Sequence, residues 1–308
     1  MYEIIKNETL IPNIVHMMFK APKIASTARP GQFVIIRVDE RGERIPMGLA
    51  GWDEKEGTID IVFYVLGTST AKLSTLKEGE CVANIAGPLG TPTKIENFGR
   101  VICACGCFGA GPTLPLAKAL KEKGNYVITV IEGRGPDFVF WVDELKEYSD
   151  EVHVVTGCGK TAWANDFIEQ ELASGKGVDR IFAHGCPFMM KVSSDASRAS
   201  GVETIVSLTP IMVDGTGMCG ACRVEVAGET KFACVDGPDF SGHCVNWDGL
   251  VLRLRQLIPE EDKSFNIWER DNWHKLMDCR HKKSFNPAKR RLNNELEHPE
   301  SDCKLAGI

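Results

Sequence analysis

The sequence has no long apolar run, and this absence excludes a membrane-spanning helix. Its longest uncharged stretch, residues 101–117, contains three glycines and two prolines. It is also shorter than the roughly 18 apolar residues that a spanning helix needs. The first ten residues, MYEIIKNETL, lack the basic segment and following apolar run of a secretory signal. We therefore expect a cytoplasmic protein that makes no membrane contact.

A strong excess of positive charge is missing as well. Lys and Arg number 36 against 42 for Asp and Glu, so the formal net charge is −6. An acidic balance argues against nucleic acid or an anionic membrane as the main partner. The chain has 308 residues and a hydrophobic fraction of 43%. It is therefore long enough for about two to three domains with buried cores.

The twelve cysteines come without a secretory context. Disulfides are rare in reducing compartments. We therefore interpret these thiols as metal ligands, free cytosolic thiols or small buried groups.

Residues 1–98 are predicted to form a small antiparallel β-barrel. Apolar, β-rich segments at 14–19, 29–38 and 58–65 are bounded by Gly, Pro or charged turns, which is typical of strands. Several short strands within a hundred residues favour a barrel. Residues 87–90, Gly-Pro-Leu-Gly, are interpreted as a turn that closes the segment.

Residues 66–76 break this pattern with a small-residue loop followed by a short predicted helix. Gly67, Thr68, Ser69 and Thr70 place backbone N–H groups and hydroxyls at the start of that helix. Such a terminus can bind phosphate, but a plain Ser/Thr helix cap has the same composition. The local chemistry leaves both possibilities open.

Residues 99–205 are predicted to form a Rossmann-like parallel α/β domain. A buried strand at 101–105 runs into a glycine-rich turn at 106–112 and then a helix. Later strands end near Gly157 and Gly185. Nucleotides bind at the carboxyl ends of strands in open α/β sheets, although close helix–strand packing alone could also require some of these glycines.

A metal-binding pattern lies in the segment 206–250. Asp214, Cys219, Cys222 and Cys234 follow the spacing D-x4-C-x2-C-x11-C, with glycines between them. Plant-type [2Fe–2S] sites use C-x4-C-x2-C and a fourth, more distant Cys. The glycines allow the backbone N–H groups to turn toward the sulfides. The spacing predicts a [2Fe–2S] cluster with an aspartate in the first ligand position.

A zinc knuckle is the alternative for the same segment. Structural zinc also favours C-x2-C pairs, and Cys219, Cys222, Cys234 and Cys244 could supply four thiolates.

Residues 251–308 are predicted to be a C-terminal helix and extension. This charged tail carries Trp268 and Trp273, and we interpret it as a subunit contact.

The order of these parts resembles the ferredoxin reductase superfamily. More narrowly, residues 1–255 resemble two kinds of iron–sulfur flavoprotein subunit. One belongs to dihydroorotate dehydrogenase B. The other is the small subunit of NADH-dependent reduced ferredoxin:NADP oxidoreductase, which is also called a sulfide dehydrogenase subunit. In the latter group the resemblance implies an Asp and three Cys around the cluster. The motifs that carry the resemblance are Pro30-Gly-Gln-Phe33, Arg44-Ile-Pro46, Gly67-Thr-Ser-Thr70, Gly87-Pro-Leu-Gly90, Asp214-Gly-Thr-Gly-Met-Cys-Gly-Ala-Cys222 and Lys231-Phe-Ala-Cys-Val-Asp-Gly-Pro238.

The resemblance implies FAD between the barrel and the nucleotide domain, and NAD(H) or NADP(H) on the latter. Arg44 would hold an FAD phosphate, and Pro46 would lie along the isoalloxazine. Gly106 and Gly109 would meet the nucleotide pyrophosphate, with Arg134 near the adenosine ribose. The full set of implied cofactor-binding residues is Arg44, Ile45, Pro46, Met47, Val65, Gly67, Thr68, Ser69, Thr70, Gly87, Gly90, Gly106, Gly109, Pro112, Arg134 and Gly185.

The implied function is electron transfer from NAD(P)H, through FAD and the cluster, to a larger flavoprotein subunit that carries FAD and [4Fe–4S] clusters. Ferredoxin would be an indirect partner. Electron bifurcation is one form that this activity takes. Three departures leave alternatives open. Gly48 stands where relatives carry Ser or Thr, Cys105 and Cys107 replace glycines, and residues 156–160 lack the usual acidic turn. The chain could have lost nucleotide binding and act only as a relay. It could instead be a zinc-containing subunit without redox chemistry, or a single-chain flavin reductase.

Overall fold

The N-terminal region is a nearly closed antiparallel barrel. The computed structural model describes residues 2–157 and 161–278. Seven strands pair in the order β6-β1-β2-β5-β4-β3-β7, and only Ala83 separates the two edge strands β6 and β7 in sequence. The strands are β1 (Tyr2–Ile11), β2 (Ile14–Lys20), β3 (Phe33–Arg37), β4 (Arg44–Asp53), β5 (Thr58–Tyr64), β6 (Cys81–Val82) and β7 (Asn84–Leu89).

Alternating side chains of these strands fill the barrel. Phe19, Ile59 and Ile61 are fully buried there, as the two-residue period of a strand requires for an inward face. Two short helices, α1 (Pro22–Ala25) and α2 (Thr68–Ser74), connect strands. The helix α2 begins at the small-residue loop that the sequence singled out.

The second region is a six-stranded, mostly parallel sheet. Its order is β10-β9-β8-β11-β12-β15. The chain proceeds outward from β8 in one direction and then resumes on the other side at β11, so the carboxyl ends of these two strands form a topological switch point. The elements are β8 (Arg100–Gly106), β9 (Tyr126–Glu132), β10 (Glu151–Val155), β11 (Arg180–His184), β12 (Thr204–Ser207) and β15 (Asp239–Ser241), with helices α3 (Ala110–Glu122), α4 (Val142–Glu147), α5 (Ala164–Ala173) and α6 (Pro187–Arg198).

The C-terminal segment is joined to this sheet. A hairpin of β13 (Arg223–Val226) and β14 (Glu229–Phe232) is followed by β15, which pairs antiparallel with β12, and then by α7 (Trp247–Leu254). One hydrophobic core contains residues of all three regions, including Phe33, Ile102 and Val224. Burying a common core fixes the position of the hairpin relative to the barrel and the sheet.

A last helix, α8 (Ile258–Asp278), lies on the barrel. Phe265 is 2% exposed and belongs to the barrel core, and the hydroxyls of Thr68 and Ser264 are 3.0 Å apart. This part of the predicted extension therefore contacts its own chain. Residues 279–308 lie outside the described residues, and the predicted subunit contact stays a prediction.

The expected architecture of an antiparallel barrel, a parallel α/β sheet and a C-terminal domain is confirmed, whereas one local expectation was wrong. The predicted turn at residues 87–90 is largely strand, because β7 continues to Leu89 and pairs with β3. Pro88 fits there because Phe33 pairs with Leu89 beyond a register irregularity, and prolines are tolerated at such irregular positions. Within the described residues, no helix is long and apolar enough to cross a membrane.

Candidate functional site

The predicted cluster loop is wound around Asp214. Its carboxylate accepts hydrogen bonds from the backbone N–H groups of Thr216, at 3.0 Å, and Cys219, at 2.7 Å. These N–H groups lower the pKa of Asp214, because they favour the charged form. Gly215 and Gly217 have φ of +74° and +83°, a region that side chains rarely enter. The loop therefore presents an ionised carboxylate beside Cys219.

Two of the predicted thiolate ligands already lie together. The sulfur atoms of Cys222 and Cys234 are 3.2 Å apart, and both residues are buried. Cys222 directly precedes β13 and Cys234 follows β14 by one residue, so the hairpin brings them into register across 12 positions of sequence. Cys219 lies on the exposed side of the loop. Of the four predicted ligands, the hairpin thus places two inside and the loop places two on the outside.

The zinc alternative would place one metal ion at Cys219, Cys222, Cys234 and Cys244. Among the residues whose side chains are described, 2–157 and 161–272, no three His, Cys, Asp or Glu side chains are gathered as one metal ion requires. Tetrahedral zinc needs four ligands around one centre, whereas a binuclear cluster divides its ligands between two irons. Cys244, the fourth thiol of the zinc alternative, is exposed and follows β15.

On the barrel, the loop before α2 is shaped by one hydroxyl. Thr70 Oγ1 accepts from the backbone N–H groups of Leu66 and Gly67 at 2.9 and 3.0 Å. The first N–H groups of the helix then have no partner within the helix. A Cβ built on Gly67 would have no heavy atom within 4 Å, so a phosphate can approach closely. The loop fits the phosphate expected from the sequence, and Ser69 Oγ donates to Glu43 at 3.1 Å beside it.

A cleft opens where the barrel, the parallel sheet and the segment 207–212 meet. Its cavity volume is about 50 Å³, and it is open to solvent. Pro46 and Gly48 of β4 face Pro112 of α3 across it, with a Cβ on Gly48 placed 3.6 Å from the Pro112 ring. That is an ordinary contact distance, so packing does not demand glycine at position 48. The mainly apolar walls suit a flat aromatic ring.

The glycine-rich turn after β8 meets the turn after β11. A Cβ on Gly109 would overlap the carbonyl group of His184, and one on Gly185 would lie 3.3 Å from the Gly106 carbonyl oxygen. Gly109 is therefore required by close packing, which was one of the two possibilities left open by the sequence. Cys107 is exposed, and its φ is +50°. The family glycine at this position would have relieved that left-handed conformation.

The structure separates the other predicted cofactor residues into two groups. Val65 and Met47 are 0% and 8% exposed, so their side chains belong to the barrel core and only their backbones could contact a cofactor. Arg44, at the start of β4, and Arg134, two residues after β9, are both exposed. Gly90 lies in the seam between regions, where its Cβ would come within 2.9 Å of both Phe33 and Pro238.

Glu132, at the carboxyl end of β9, was given no role by the sequence analysis. Its carboxylate accepts from the backbone N–H of Ala164 at 3.1 Å, and a Cβ on Gly106 would lie 2.8 Å from its Cγ. Burial raises the pKa of Glu132 to about 7, with a smaller contribution from Asp166. An acidic residue at the end of the strand next to a glycine-rich turn was the available signal.

Comparisons with known proteins agree with this site. The family model for the iron–sulfur cluster binding domain of dihydroorotate dehydrogenase B matches residues 209–246. The electron transfer subunit homolog of dihydroorotate dehydrogenase B (NAD(+)) from Thermotoga maritima is 44% identical over 265 residues, or 85% of this chain and 94% of that protein. The electron transfer subunit from Geobacillus thermodenitrificans is 32% identical and covers 70% of this chain and 86% of that protein.

A solved structure is similar over nearly the whole chain. It is that of the NADH-dependent reduced ferredoxin-NADP oxidoreductase, described in relation to flavin-based electron bifurcation. Its TM-score is 0.79 at 40% identity, over 90% of this chain and 98% of that chain.

A barrel, a parallel α/β sheet and a C-terminal iron–sulfur binding domain define a protein with the ferredoxin-reductase-like fold. This chain belongs to the family of dihydroorotate dehydrogenase B electron transfer subunits. The expected family is therefore confirmed. So are the iron–sulfur domain and the role in electron transfer, and the family agrees with the expected classes of cofactor: flavin, pyridine nucleotide and [2Fe–2S] cluster.

Proposed function

We propose that this chain passes electrons between NAD(P)H, FAD and a [2Fe–2S] cluster, and delivers them to a larger flavoprotein subunit. The observation that carries the proposal is the contact of the cluster segment, residues 206–250, with the barrel and the cleft wall. The N–H of Thr91 donates to the carbonyl of Gly237 at 2.7 Å, and the next residue, Pro238, lines the cleft. A Cβ on Gly215 would lie 2.7 Å from Ile35 of the barrel. A cluster in this loop would therefore neighbour a flavin in the cleft.

Asp214, Cys219, Cys222 and Cys234 would hold the cluster. The fit rests on the bonded Asp214 carboxylate and on the paired sulfurs of Cys222 and Cys234. An aspartate is a harder ligand than a thiolate and changes the electronics of the iron that it binds. Its presence favours the bifurcating type of enzyme, whose motif the loop resembles, over the dihydroorotate type with four Cys.

FAD would lie with its phosphates at residues 67–70 and its ring in the cleft. The open space at Gly67 supports this placement, and Arg44 begins the strand that leads to Pro46 on the cleft wall. A guanidinium suits a phosphate because it donates two parallel hydrogen bonds. Ile45, Met47, Val65, Gly87 and Gly90 would shape the backbone around the flavin.

NAD(H) or NADP(H) would lie on the switch point between β8 and β11. Gly106, Gly109 and Gly185 bring the two turns together there, while Pro112 lies on the cleft wall. Arg134 is exposed at the end of the neighbouring strand and would meet the adenosine end. When bound, FAD supplies the hydride acceptor and the one-electron donor, and the chain's task is to hold the nicotinamide, flavin and cluster in sequence.

The partner would be a larger subunit carrying FAD and [4Fe–4S] clusters, with ferredoxin reached through it. Support comes from relatives that are named as subunits and from the similar structure described in relation to electron bifurcation. Met218 is 88% exposed within the cluster loop. Val213 and Val235 are also 46% and 42% exposed, and a group of exposed apolar side chains beside the proposed cluster ligands suits a docking surface.

A relay without a nucleotide site is the second candidate function. One observation favours it: Cys107 projects a side chain from a left-handed position where the family pattern has none. In that case electrons would enter from the partner, and neither NADH nor NADPH would bleach the flavin of the isolated chain. The absorbance change on anaerobic titration with each nucleotide separates the two functions.

The ligand set is tested by Asp214→Cys in the full chain after anaerobic cluster and flavin reconstitution. We expect an altered EPR spectrum and midpoint potential with unchanged iron content. Asp248→Asn, which removes an exposed carboxylate of the same segment, is the control and should change neither. An Asp214→Cys protein with the spectrum and potential of the unsubstituted chain would show that Asp214 is not a ligand.

A further inference from the structure

Two arginines converge on consecutive carbonyl groups of the cluster loop. Arg253 Nη2 donates to the carbonyl oxygen of Ala221 at 3.0 Å, and Arg223 Nη1 donates to that of Gly220 at 3.0 Å. Gly220 and Ala221 separate the predicted ligands Cys219 and Cys222. Both guanidinium groups therefore lie immediately behind the segment that would hold the cluster.

These two cations are brought close in spite of their mutual repulsion. Partial burial lowers the pKa of Arg253, the nearby charge of Arg223 lowers it further, and Cys222 acts in the opposite direction. A guanidinium remains charged in proteins despite such effects. Like charges held together without an anion are unfavourable. The arrangement therefore suits a negatively charged group on the other side of the loop.

A [2Fe–2S] cluster with three thiolates and one carboxylate is such a group. It is anionic when oxidised, and reduction adds one further negative charge. Nearby positive charge stabilises the reduced form more than the oxidised form. The potentials of iron–sulfur clusters depend on local charge, hydrogen bonding and solvent exposure.

We propose that Arg253, supported by Arg223, raises the reduction potential of the [2Fe–2S] cluster and so makes it a better acceptor of electrons from the flavin. This inference rests on the proposed function. Arg253 belongs to α7, and it lies beyond residues 209–246, which the family model matches. The contact from α7 to the loop therefore adds a tuning element to the matched cluster segment.

The two arginines differ in their surroundings. Arg253 is partly buried between α7 and the loop, whereas Arg223 is exposed. Salt screens exposed charges more strongly than buried ones. The contribution of Arg253 to the potential should therefore persist at high ionic strength, while that of Arg223 should fade.

The test is an EPR-monitored redox titration of the full chain with its flavin and cluster. Arg253→Gln removes the charge but keeps an amide donor for the Ala221 carbonyl. We expect a shift to more negative potential with unchanged iron content. Arg253→Lys keeps the charge and should stay near the potential of the unsubstituted chain. Arg255→Gln, an exposed arginine at the end of the same helix, is the matched control and should cause no shift.

Two results would overturn the inference. One is an Arg253→Gln protein with a full cluster and an unshifted potential. The other is an equal shift in Arg253→Lys, which would mean that loop position rather than charge matters. If Arg253→Gln loses its cluster, Arg223→Gln decides: a negative shift that shrinks with salt supports the inference, and no shift at low salt refutes it. Absence of any [2Fe–2S] signal in the unsubstituted chain would instead refute the proposed function.

Discussion

The cluster loop, residues 214–222, and the nucleotide loop, residues 105–112, are both rich in glycine and cysteine but use them differently. In the cluster loop, every residue with positive φ is a glycine. In the nucleotide loop, the left-handed position is Cys107, while Gly106 and Gly109 have φ of −145° and −65°. Glycine winds the backbone in the first loop and permits close packing in the second.

The two loops therefore prepare for different ligands. Backbone N–H groups converge on Asp214 in the cluster loop, so the winding fixes the carboxylate that we propose as a ligand. The glycines of the nucleotide loop instead allow β8 and β11 to end in contact. Only Cys107 then stands between the loop and a bound pyrophosphate. The first loop matches the family pattern at every proposed ligand, whereas the second departs from it at Cys107.

The largest expected effect is the loss of cluster iron when a proposed ligand is removed. Cys234→Ala removes one of the two paired sulfurs, and we expect the reconstituted chain to lose nearly all of its cluster iron because a buried ligand has no substitute nearby. Iron and acid-labile sulfide analysis measures the loss. Cys244→Ala, an exposed thiol of the same segment, is the control. Equal loss of metal in both variants would favour the four-cysteine zinc alternative.

The next prediction compares the stability effects of replacing two cysteines of the nucleotide loop, Cys105 and Cys107, by glycine. Cys105 is 0% exposed in β8, so Cys105→Gly should lower the free energy of unfolding by about 2 kcal/mol through a cavity and added chain entropy. In Cys107→Gly, relief of about 1–2 kcal/mol of left-handed strain should offset the flexibility of glycine. Urea denaturation of both variants makes the comparison.

Nucleotide affinity provides a second comparison between Cys107→Gly and the unsubstituted chain. Cys107→Gly should bind NADH or NADPH at least as tightly as the unsubstituted chain, because it removes a side chain from the phosphate approach. Binding that appears only in Cys107→Gly would support the relay function. Destabilisation by Cys107→Gly as large as that by Cys105→Gly would contradict the strain account.

The smallest predicted effect concerns pH at the nucleotide loop. The pKa of Glu132 is raised to about 7 by burial, so the folded chain favours the protonated form. Its stabilising contribution is full below the ordinary glutamate pKa and declines as pH rises, reaching its minimum above about 7. Glu132→Gln should therefore stabilise the chain by about 1–2 kcal/mol at pH 8, less than the full linkage value because the side chain is partly exposed.

Urea denaturation at pH 5 and pH 8 measures this difference. Glu132→Gln should gain little at pH 5, since most of the loss occurs at higher pH. Glu122→Gln, which changes an exposed carboxylate in α3, should be neutral at both values. A gain for Glu132→Gln that is equal at pH 5 and pH 8 would contradict the assigned ionisation.

How far the sequence predicts the fold depends on whether the contacts are local. The spacing of Asp214, Cys219 and Cys222 lies within one loop, so residue types and glycines are enough to identify it. The pairing of β15 with β12 spans about 30 residues of sequence and involves three residue pairs. A strand of three residues is too short to be predicted from hydrophobic periodicity. Its pairing with β12 depends on where the hairpin of β13 and β14 packs.

The C-terminal helix shows the same limit. Its sequence has no clear hydrophobic period, yet Phe265 enters the barrel core, with Trp268 packed against it. Thr68 and Ser264, which connect the helix to the loop before α2, are 196 positions apart. Such contacts depend on tertiary packing rather than on local propensity. Glu132 is a partial case: its position at a strand end is visible in the sequence, but its place beside Gly106 depends on the pairing of β8 with β9.

The most direct test of the central claim is an anaerobic titration of the full reconstituted chain with NADH and NADPH, followed by visible absorption and EPR. We predict that one nucleotide bleaches the flavin absorbance and that a reduced [2Fe–2S] signal appears with it. A chain that binds zinc and neither flavin nor iron would contradict the account.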